Sequence, residues 1–320
     1  MLQGNVSTSA PVRPFLDWPV ITDPTKWKNI AAAVIGVPYS EPYSGEPLPN
    51  DQANAPSAIR LQSGQFCDGP AQWDFDWDGT LESILPGKGV DAGDCPRWSG
   101  SFEDYFSGTV ARLKALLANS DMTFILGGDH GITIPVLHAL EVVGKPVHLV
   151  QIDAHIDWRD DVRGSRLGYS SPIRRASELP WISGITQIGM RSTGSARAAE
   201  VEAARNHGAH IVTAAQVHAE GIGQVLSHLK GKGPFYLTVD ADGLDPSVMP
   251  AVLGPAPGGL RFEQVQPIIH QLAEEGPLVG MDVVEVAPSL DLPNKITSLT
   301  AGRLILNALG AGLRNRKSEN

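Results

Sequence analysis

Asp153-Ala154-His155-Ile156-Asp157 closes the apolar run from Pro146 to Ile152 and sets two carboxylates and an imidazole side by side in the chain. Successive side chains on a strand alternate faces, so Asp153, His155 and Asp157 are expected to project to one side while Ala154 and Ile156 pack inward. A mixed oxygen and nitrogen donor set of this kind suits Mn²⁺, Fe²⁺, Co²⁺, Ni²⁺ or Zn²⁺ and suits Cu⁺ poorly. A polar strand end facing solvent is the alternative reading of the same residues. Two further clusters favour the metal. His130 follows the run Met122 to Leu126 in Gly127-Gly128-Asp129-His130, and Asp240 and Asp242 follow Phe235 to Val239. Together, His130, Asp153, His155, Asp157, Asp240 and Asp242 exceed the needs of one ion with an open position and match two ions that share carboxylates. Two cations lower the pKa of a shared water until hydroxide is available near neutral pH, so the expected reaction class is hydrolysis.

These donors need a scaffold, and the chain supplies a strand–helix alternation. Strands are expected at 30–37, 90–94, 122–126, 146–152, 185–190, 209–213, 235–239 and 278–285, and helices at 102–118, 132–143, 195–207, 215–230, 261–275 and 297–313. Parallel strands need crossover connections, which implies an α/β fold of three layers, a mostly parallel sheet between helices. In such sheets, sites lie at the carboxyl ends of strands, where every polar cluster falls. The expected organisation is an N-terminal arm (1–29) lying on a neighbour, one α/β domain (30–313) and a polar tail (314–320). Ser40 to Pro56 reads as a long functional or mobile loop, and Ala55 to Arg60 as a helix start with Pro in its first turn. Gly127-Gly128 lacks the fuller Gly-rich fingerprint of a nucleotide site, and these glycines are expected to bring the backbone close to the metals.

Composition narrows the partners. The 320 residues carry a net charge of −10 and a pI near 5.3. Such a surface gains nothing from a nucleic-acid backbone or an anionic membrane, whereas a small cationic substrate fits it. Cys67 and Cys95 are the only cysteines and neither lies in a CxxC pair, which excludes a disulfide framework and points to a reducing, cytoplasmic setting. Met1 to Trp18 lacks a basic segment followed by an apolar one, and no stretch is expected to reach the roughly 18 apolar residues of a spanning helix. Trp73, Trp77 and Trp158 are expected to pack rather than to face a cation. The histidines outside the clusters, among them His138, His207 and His270, are expected at surface or helix positions.

Three segments taken in order carry a more specific resemblance. Gly127-Gly128-Asp129-His130, Asp153-Ala154-His155-Ile156-Asp157 and Asp240-Ala241-Asp242-Gly243-Leu244-Asp245-Pro246-Ser247 are similar to the signatures of the ureohydrolase family, which includes arginase and agmatinase. Gly258-Gly259-Leu260 and Asp282-Val283-Val284-Glu285-Val286 resemble further family segments, and the likeness runs from about residue 30 to 313. The resemblance implies an arginase-like fold and two divalent ions, Mn or Ni. By it, His130, Asp153, Asp157 and Asp240 would hold one ion, and His155, Asp153, Asp240 and Asp242 the other. Attack on a guanidinium carbon would release urea or a urea-like product and an amine, with Asp157 carrying the proton to the leaving nitrogen. Glu285 would pair with the guanidinium, because a carboxylate matches a planar cation. A trimer or hexamer is also implied.

Departures from the family cluster near the substrate. Tyr169, in Gly168-Tyr169-Ser170-Ser171-Pro172-Ile173-Arg174-Arg175-Ala176, stands where relatives carry a proton-relaying His. A phenol with an ordinary pKa of about 10 is a poor shuttle at pH 7 and can instead shape the pocket wall. Gly254, in Ala251-Val252-Leu253-Gly254-Pro255, replaces a Thr, and Ala256 stands where agmatinase-like chains often have Glu. Both changes leave room for a substituted guanidino or biguanide group and turn the expectation away from arginine or agmatine. One alternative is a non-catalytic or regulatory subunit that assembles with a catalytic paralogue. Another is a phosphoesterase, for which Arg159, Arg163, Arg174 and Arg175 are available as clamps.

Overall fold

Short apolar runs, each too brief to bury itself, assemble into one sheet. The computed structural model describes residues 7–40, 51–66, 71–85, 89–97 and 101–318. Its strands are β1 (Ala33–Gly36), β2 (Val90–Asp94), β3 (Thr123–Leu126), β4 (Val147–Ile152), β5 (Ile182–Met190), β6 (His210–Thr213), β7 (Phe235–Asp240) and β8 (Leu278–Val284). They lie in the order β2-β1-β3-β8-β7-β4-β5-β6, and every pairing is parallel. The helices are α1 (Ala55–Ser63), α2 (Phe102–Leu117), α3 (Thr133–Ala139), α4 (Ala198–His207), α5 (Ala214–Glu220), α6 (Gly223–Leu229), α7 (Phe262–Glu275) and α8 (Ile296–Ser318). Shorter pieces include a hairpin at Trp73–Asp74 and Gly79–Thr80 and a single helical turn at Pro172–Ala176.

The alternation of each strand divides its side chains between two cores, as a pleated strand requires. Val34, Phe124, Val150, Leu237 and Met281 pack with α1, α5, α6, α7 and α8. Ala33, Ile35, Ile125, Leu149 and Tyr236 pack with α2, α3 and α4. The expected three layers are therefore present. The strand expected from residue 30 begins only at Ala33, and Ile30 makes an isolated bridge to Ser120. The helix expected over 215–230 divides into α5 and α6, because Gly221 takes a left-handed φ of 75° between them. The helix expected over 132–143 keeps α-geometry only at Thr133–Ala139, with tighter turns on both sides.

Three expectations are corrected. The N-terminal segment, expected to stay outside the core, packs on the chain's own sheet: Phe15, Trp18 and Trp27 are buried, while Ser9 and Val20 bridge to Asp94 and Asp91 of β2. The segment thus covers an edge strand, whose unpaired backbone would otherwise face water. Residues 296–315 of α8 are long and apolar enough to cross a membrane, and 78% of that window is buried inside the chain. A helix covered on most sides is apolar all round, which separates this stretch from the amphipathic helices. His148, expected at a surface or helix position, is buried in β4, with its Nε2 2.8 Å from Thr186 Oγ1. Most of the loop expected over 40–56, and Cys67, lie outside the described residues.

A buried ion cluster ties the N-terminal segment, α1 and β2 together. Arg60 donates through Nε and Nη2 to Asp91 at 2.8 and 3.0 Å and through Nη1 to Asp94 at 2.5 Å, and both Arg60 and Asp91 are fully buried. Asp91 also accepts the Phe15 amide at 2.8 Å. Asp91→Leu leaves the buried guanidinium with Asp94 as its one remaining charged partner, at an expected cost of about 3 kcal/mol in urea unfolding, and Arg60→Met on that background should restore part of the loss. An Asp91→Leu loss below about 1 kcal/mol, the scale of an exposed pair, would show the cluster to be incidental.

Burial lowers the pKa of His148 to about 4, with further repulsion from Lys232, His228 and His210. An unfolded histidine titrates near 6.5, so the native state favours the neutral ring. The associated stability is present above pH of about 6.5 and lost as pH falls toward about 4, on the order of 3 kcal/mol in all. His148→Gln should flatten this part of the stability–pH curve; an unchanged acid limb would contradict the assignment.

Candidate metal centre

The metal-seeking side chains stand at the carboxyl ends of β3, β7 and β4 and Glu285 at that of β8, four adjacent strands at the middle of the sheet. Their convergence does not come from strand alternation. β4 ends at Ile152, and Asp153 to His155 form a bend. An extended strand would separate Asp153 from Asp157 by about 13 Å, too far for one cluster. Asp157 instead adopts a left-handed φ of 45°, a conformation that costs a non-glycine residue about 1–3 kcal/mol and must be held by its surroundings. His130 opens a tight turn, Gly131 donating to Asp129 Oδ1 at 2.9 Å. Asp240 caps the turn that carries Asp242, whose amide donates to Asp240 Oδ1 at 2.9 Å.

The resulting distances define two groups. His130 Nδ1 lies 2.8 Å from Asp157 Oδ2, 3.1 Å from Asp153 Oδ2 and 3.2 Å from Asp240 Oδ2. His155 Nδ1 lies 3.2 Å from Asp242 Oδ2 and 3.5 Å from Asp153 Oδ1. Asp153 is common to both, one oxygen to each imidazole. Asp240 joins the His130 group, and its other oxygen faces the Asp242 amide. His130 Nδ1 is completely buried and, with carboxylate oxygens on three sides, makes no conventional hydrogen bond. A buried imidazole nitrogen surrounded by carboxylates fits a divalent cation in place of a proton.

The electrostatics point the same way. Burial raises the pKa of Asp157 to about 7, aided by the charge of Asp153. Burial, with Asp242 and Asp153 nearby, pushes Asp240 far above the carboxylate range, and burial with Asp153 also raises Asp242. For His155, burial opposes the proton, but hydrogen bonds to Asp153 and Asp242 win and carry its pKa to about 12. Without added positive charge the cluster therefore retains protons, which divalent ions displace on binding.

Glu285 closes the site from β8. It too has a left-handed φ, of 64°. Its Oε1 accepts the His130 amide at 2.7 Å, and its own amide donates to Gly128 O at 2.9 Å. Gln52 completes this arrangement, donating from Nε2 to Glu285 Oε2 at 2.9 Å, with the Gln52 side chain buried. No sequence pattern marked Gln52, because its partner lies 233 residues away. Tyr169 is partly exposed and its backbone runs beside the His130 turn; a Cβ on Gly131 would lie 3.3 Å from Tyr169 N. Gly254 is exposed, with no atom within 4 Å of where its Cβ would stand. Trp77 and Trp158 are buried in packing, whereas Trp73 is half exposed on the small hairpin.

The glycines of the first cluster serve the backbone rather than the metals. A Cβ on Gly128 would meet Tyr39 O at 1.6 Å, so this residue allows the ends of two strands to meet. Three of the four arginines named above as phosphate clamps are already held by carboxylates: Arg159 pairs with Glu200, and Arg174 and Arg175 with Asp160 and Glu178. Arg191, which also escaped sequence reasoning, donates to the carbonyls of Gly189, Asp242, Gly243, Leu244 and Ala256 and thereby holds the Asp242 turn.

Fold and site together define a class of α/β proteins with a carboxylate–imidazole cluster beyond the central strands of a parallel sheet. The model of the Arginase family matches residues 30–310, and the chain belongs to that family. It is 34% identical over 272 residues to the agmatinase of Chromobacterium violaceum, covering 82% of this chain and 78% of that one. It is 33% identical over 199 residues to the guanidinobutyrase of Pseudomonas aeruginosa, covering 61% of each. The solved proclavaminate amidino hydrolase of Streptomyces clavuligerus superposes with a TM-score of 0.78 at 27% identity, covering 98% of this chain and 100% of that one.

Mn²⁺ added to metal-free protein at about a hundredfold excess over its dissociation constant should stabilise the fold by about 2.7 kcal/mol per site, read as a rise in melting temperature. Asp153→Ala, which removes the shared carboxylate, should abolish most of the rise. A rise of the same size in that variant would place the ion elsewhere.

Proposed function

We propose that the chain is a hydrolase that cleaves a C–N bond of a cationic guanidino or biguanide compound, releasing urea or a urea-like product and an amine. The observation that carries this reading is Glu285, whose carboxylate is bonded directly to the backbone of the metal-seeking His130. A group that recognises a planar cation is thus fixed to the turn that carries the reactive centre. Its two oxygens accept one hydrogen bond each from the protein, and each retains a lone pair for a guanidinium N–H. The −10 net charge supports a cationic substrate.

His130, Asp153, Asp157 and Asp240 would hold one divalent ion, Mn²⁺ or Ni²⁺, and His155, Asp153, Asp240 and Asp242 the second. Such ions supply a hydroxide nucleophile near neutral pH. Glu285 orients the guanidinium so that its carbon faces the cluster, and orientation of this kind lowers the barrier by removing the entropy of encounter. Asp157 carries a proton to the departing nitrogen on the oxygen not turned to His130. Tyr169 forms part of the wall beside the His130 turn, and Gly254 leaves space for a substituent on the guanidino group.

Product release from Mn²⁺- or Ni²⁺-loaded protein across agmatine, arginine, guanidinobutyrate, guanidinopropionate, guanidine and metformin tests the reading. Turnover of at least one compound is expected, with Asp153→Ala inactive. Glu285→Gln removes charge-assisted hydrogen bonds and should lower kcat/KM about 10- to 100-fold. Silence across the panel at full metal occupancy would overturn the proposed substrate class. Gly254→Thr should fold normally, given its open surroundings, and should disfavour N-alkylated compounds relative to unsubstituted ones. An unchanged ratio between the two would remove Gly254 from the specificity argument.

A further inference from the structure

One layer below the ligands, a polar row crosses the middle of the sheet. The strand register sets Gln187 of β5 beside Gln151 of β4, Gln151 beside Thr238 of β7, and Thr238 beside Asp282 of β8. All four residues are fully buried. Polar groups in such a place are costly unless hydrogen-bonded, and these, Gln187 Oε1 excepted, are bonded in two chains that each end on a metal-seeking residue.

The first chain ends on His130. Tyr236 Oη and Thr133 Oγ1 donate to Asp282 Oδ2 at 2.8 and 3.1 Å, and Thr238 Oγ1 donates to Asp282 Oδ1 at 2.5 Å. With its only proton committed to Asp282, the Thr238 hydroxyl can only accept from His130 Nε2, 3.0 Å away. His130 must then carry a proton on Nε2. In the neutral ring this leaves the Nδ1 lone pair directed at Asp153, Asp157 and Asp240.

The second chain ends on Asp153. Gln187 Nε2 donates to Gln151 Oε1 at 2.6 Å and to Ile156 O at 2.8 Å, and Gln151 Nε2 donates to Asp153 Oδ2 at 2.6 Å. The His155 amide donates to the other oxygen, Oδ1, at 2.6 Å. Each oxygen of the shared carboxylate is therefore held by one fixed donor and keeps a lone pair for its own imidazole group.

We propose that Asp282, Thr238, Gln151 and Gln187 are positioning residues of the metal centre. The first chain imposes the Nε2-protonated tautomer on His130, and the second fixes the orientation in which Asp153 spans both groups. This inference rests on the metal reading above. Outer hydrogen bonds of this kind commonly contribute 10- to 100-fold to metal affinity. Gln151 and Thr238 each stand two residues before an aspartate ligand, so strand alternation puts them on the ligand's own side of the sheet.

Equilibrium dialysis of the metal-free full chain against Mn²⁺ decides the matter, with thermal unfolding of each metal-free variant measured in parallel. Thr238→Val and Gln151→Met are expected to bind Mn²⁺ about 10- to 100-fold more weakly than wild type. Thr238→Ser, which restores the hydroxyl, should return to within about threefold of wild type by the same reasoning. Wild-type affinity in both Thr238→Val and Gln151→Met, however far their melting temperatures fall, would reduce the row to a structural feature and overturn the proposal. Should Thr238→Val fail to fold, Asp282→Asn, of nearly the same size, is read by the same two outcomes. A wild-type protein that takes up neither Mn²⁺ nor Ni²⁺ would overturn the metal reading itself, and this inference with it.

Discussion

Mutual repulsion among buried carboxylates is the constraint on which the rest of this structure depends. Asp153, Asp157, Asp240 and Asp242 converge on His130 and His155 at separations of 2.8 to 3.5 Å. In a poorly hydrated site like charges resist joint ionisation, and burial, together with the neighbouring carboxylates, raises the pKa values of Asp157, Asp240 and Asp242. The fold has to hold the groups together against it. Backbone strain at Asp157 and Glu285, the bend after Ile152 and the turn that carries Asp242 all persist because their surroundings over-determine them.

The sheet supplies that rigidity. β3, β8, β7 and β4 are its four middle strands, so their ends cannot fray independently, and the site inherits their fixed spacing. Close approaches tighten it further: a Cβ on Gly243 would lie 2.7 Å from Asp153 N, so the two ligand-bearing turns touch through their backbones. Arg191 binds the same turn from outside by filling its carbonyls. At the far edge, the Arg60–Asp91–Asp94 cluster anchors the N-terminal segment over β2.

Glu285 is tied to the metal-seeking cluster through the His130 turn. The His130 ring faces the carboxylates, its amide holds Glu285, and Gln52 reaches the other oxygen of Glu285 from the helical turn just before α1. On the proposed function, a change in the turn that precedes α1 would act through Gln52 to alter how Glu285 meets a substrate.

The sequence by itself determined the layered fold, because apolar runs separated by helical patterns admit few arrangements other than a parallel sheet between helices. It also pointed to the residues that cluster, since the metal-seeking His130, Asp153, His155, Asp157, Asp240 and Asp242, and Glu285 beside them, all follow such runs. Tertiary structure alone decided how they converge. Alternation along a strand placed Asp153 and Asp157 on one side, but only a bend with a left-handed Asp157 brings both to His130. It also decided the partners of Glu285 and the fate of the N-terminal segment: Gln52 and Phe15 are linked to their acceptors across 233 and 76 residues. Local pattern carries no information about contacts of that separation; they exist only once the sheet has brought distant strands side by side.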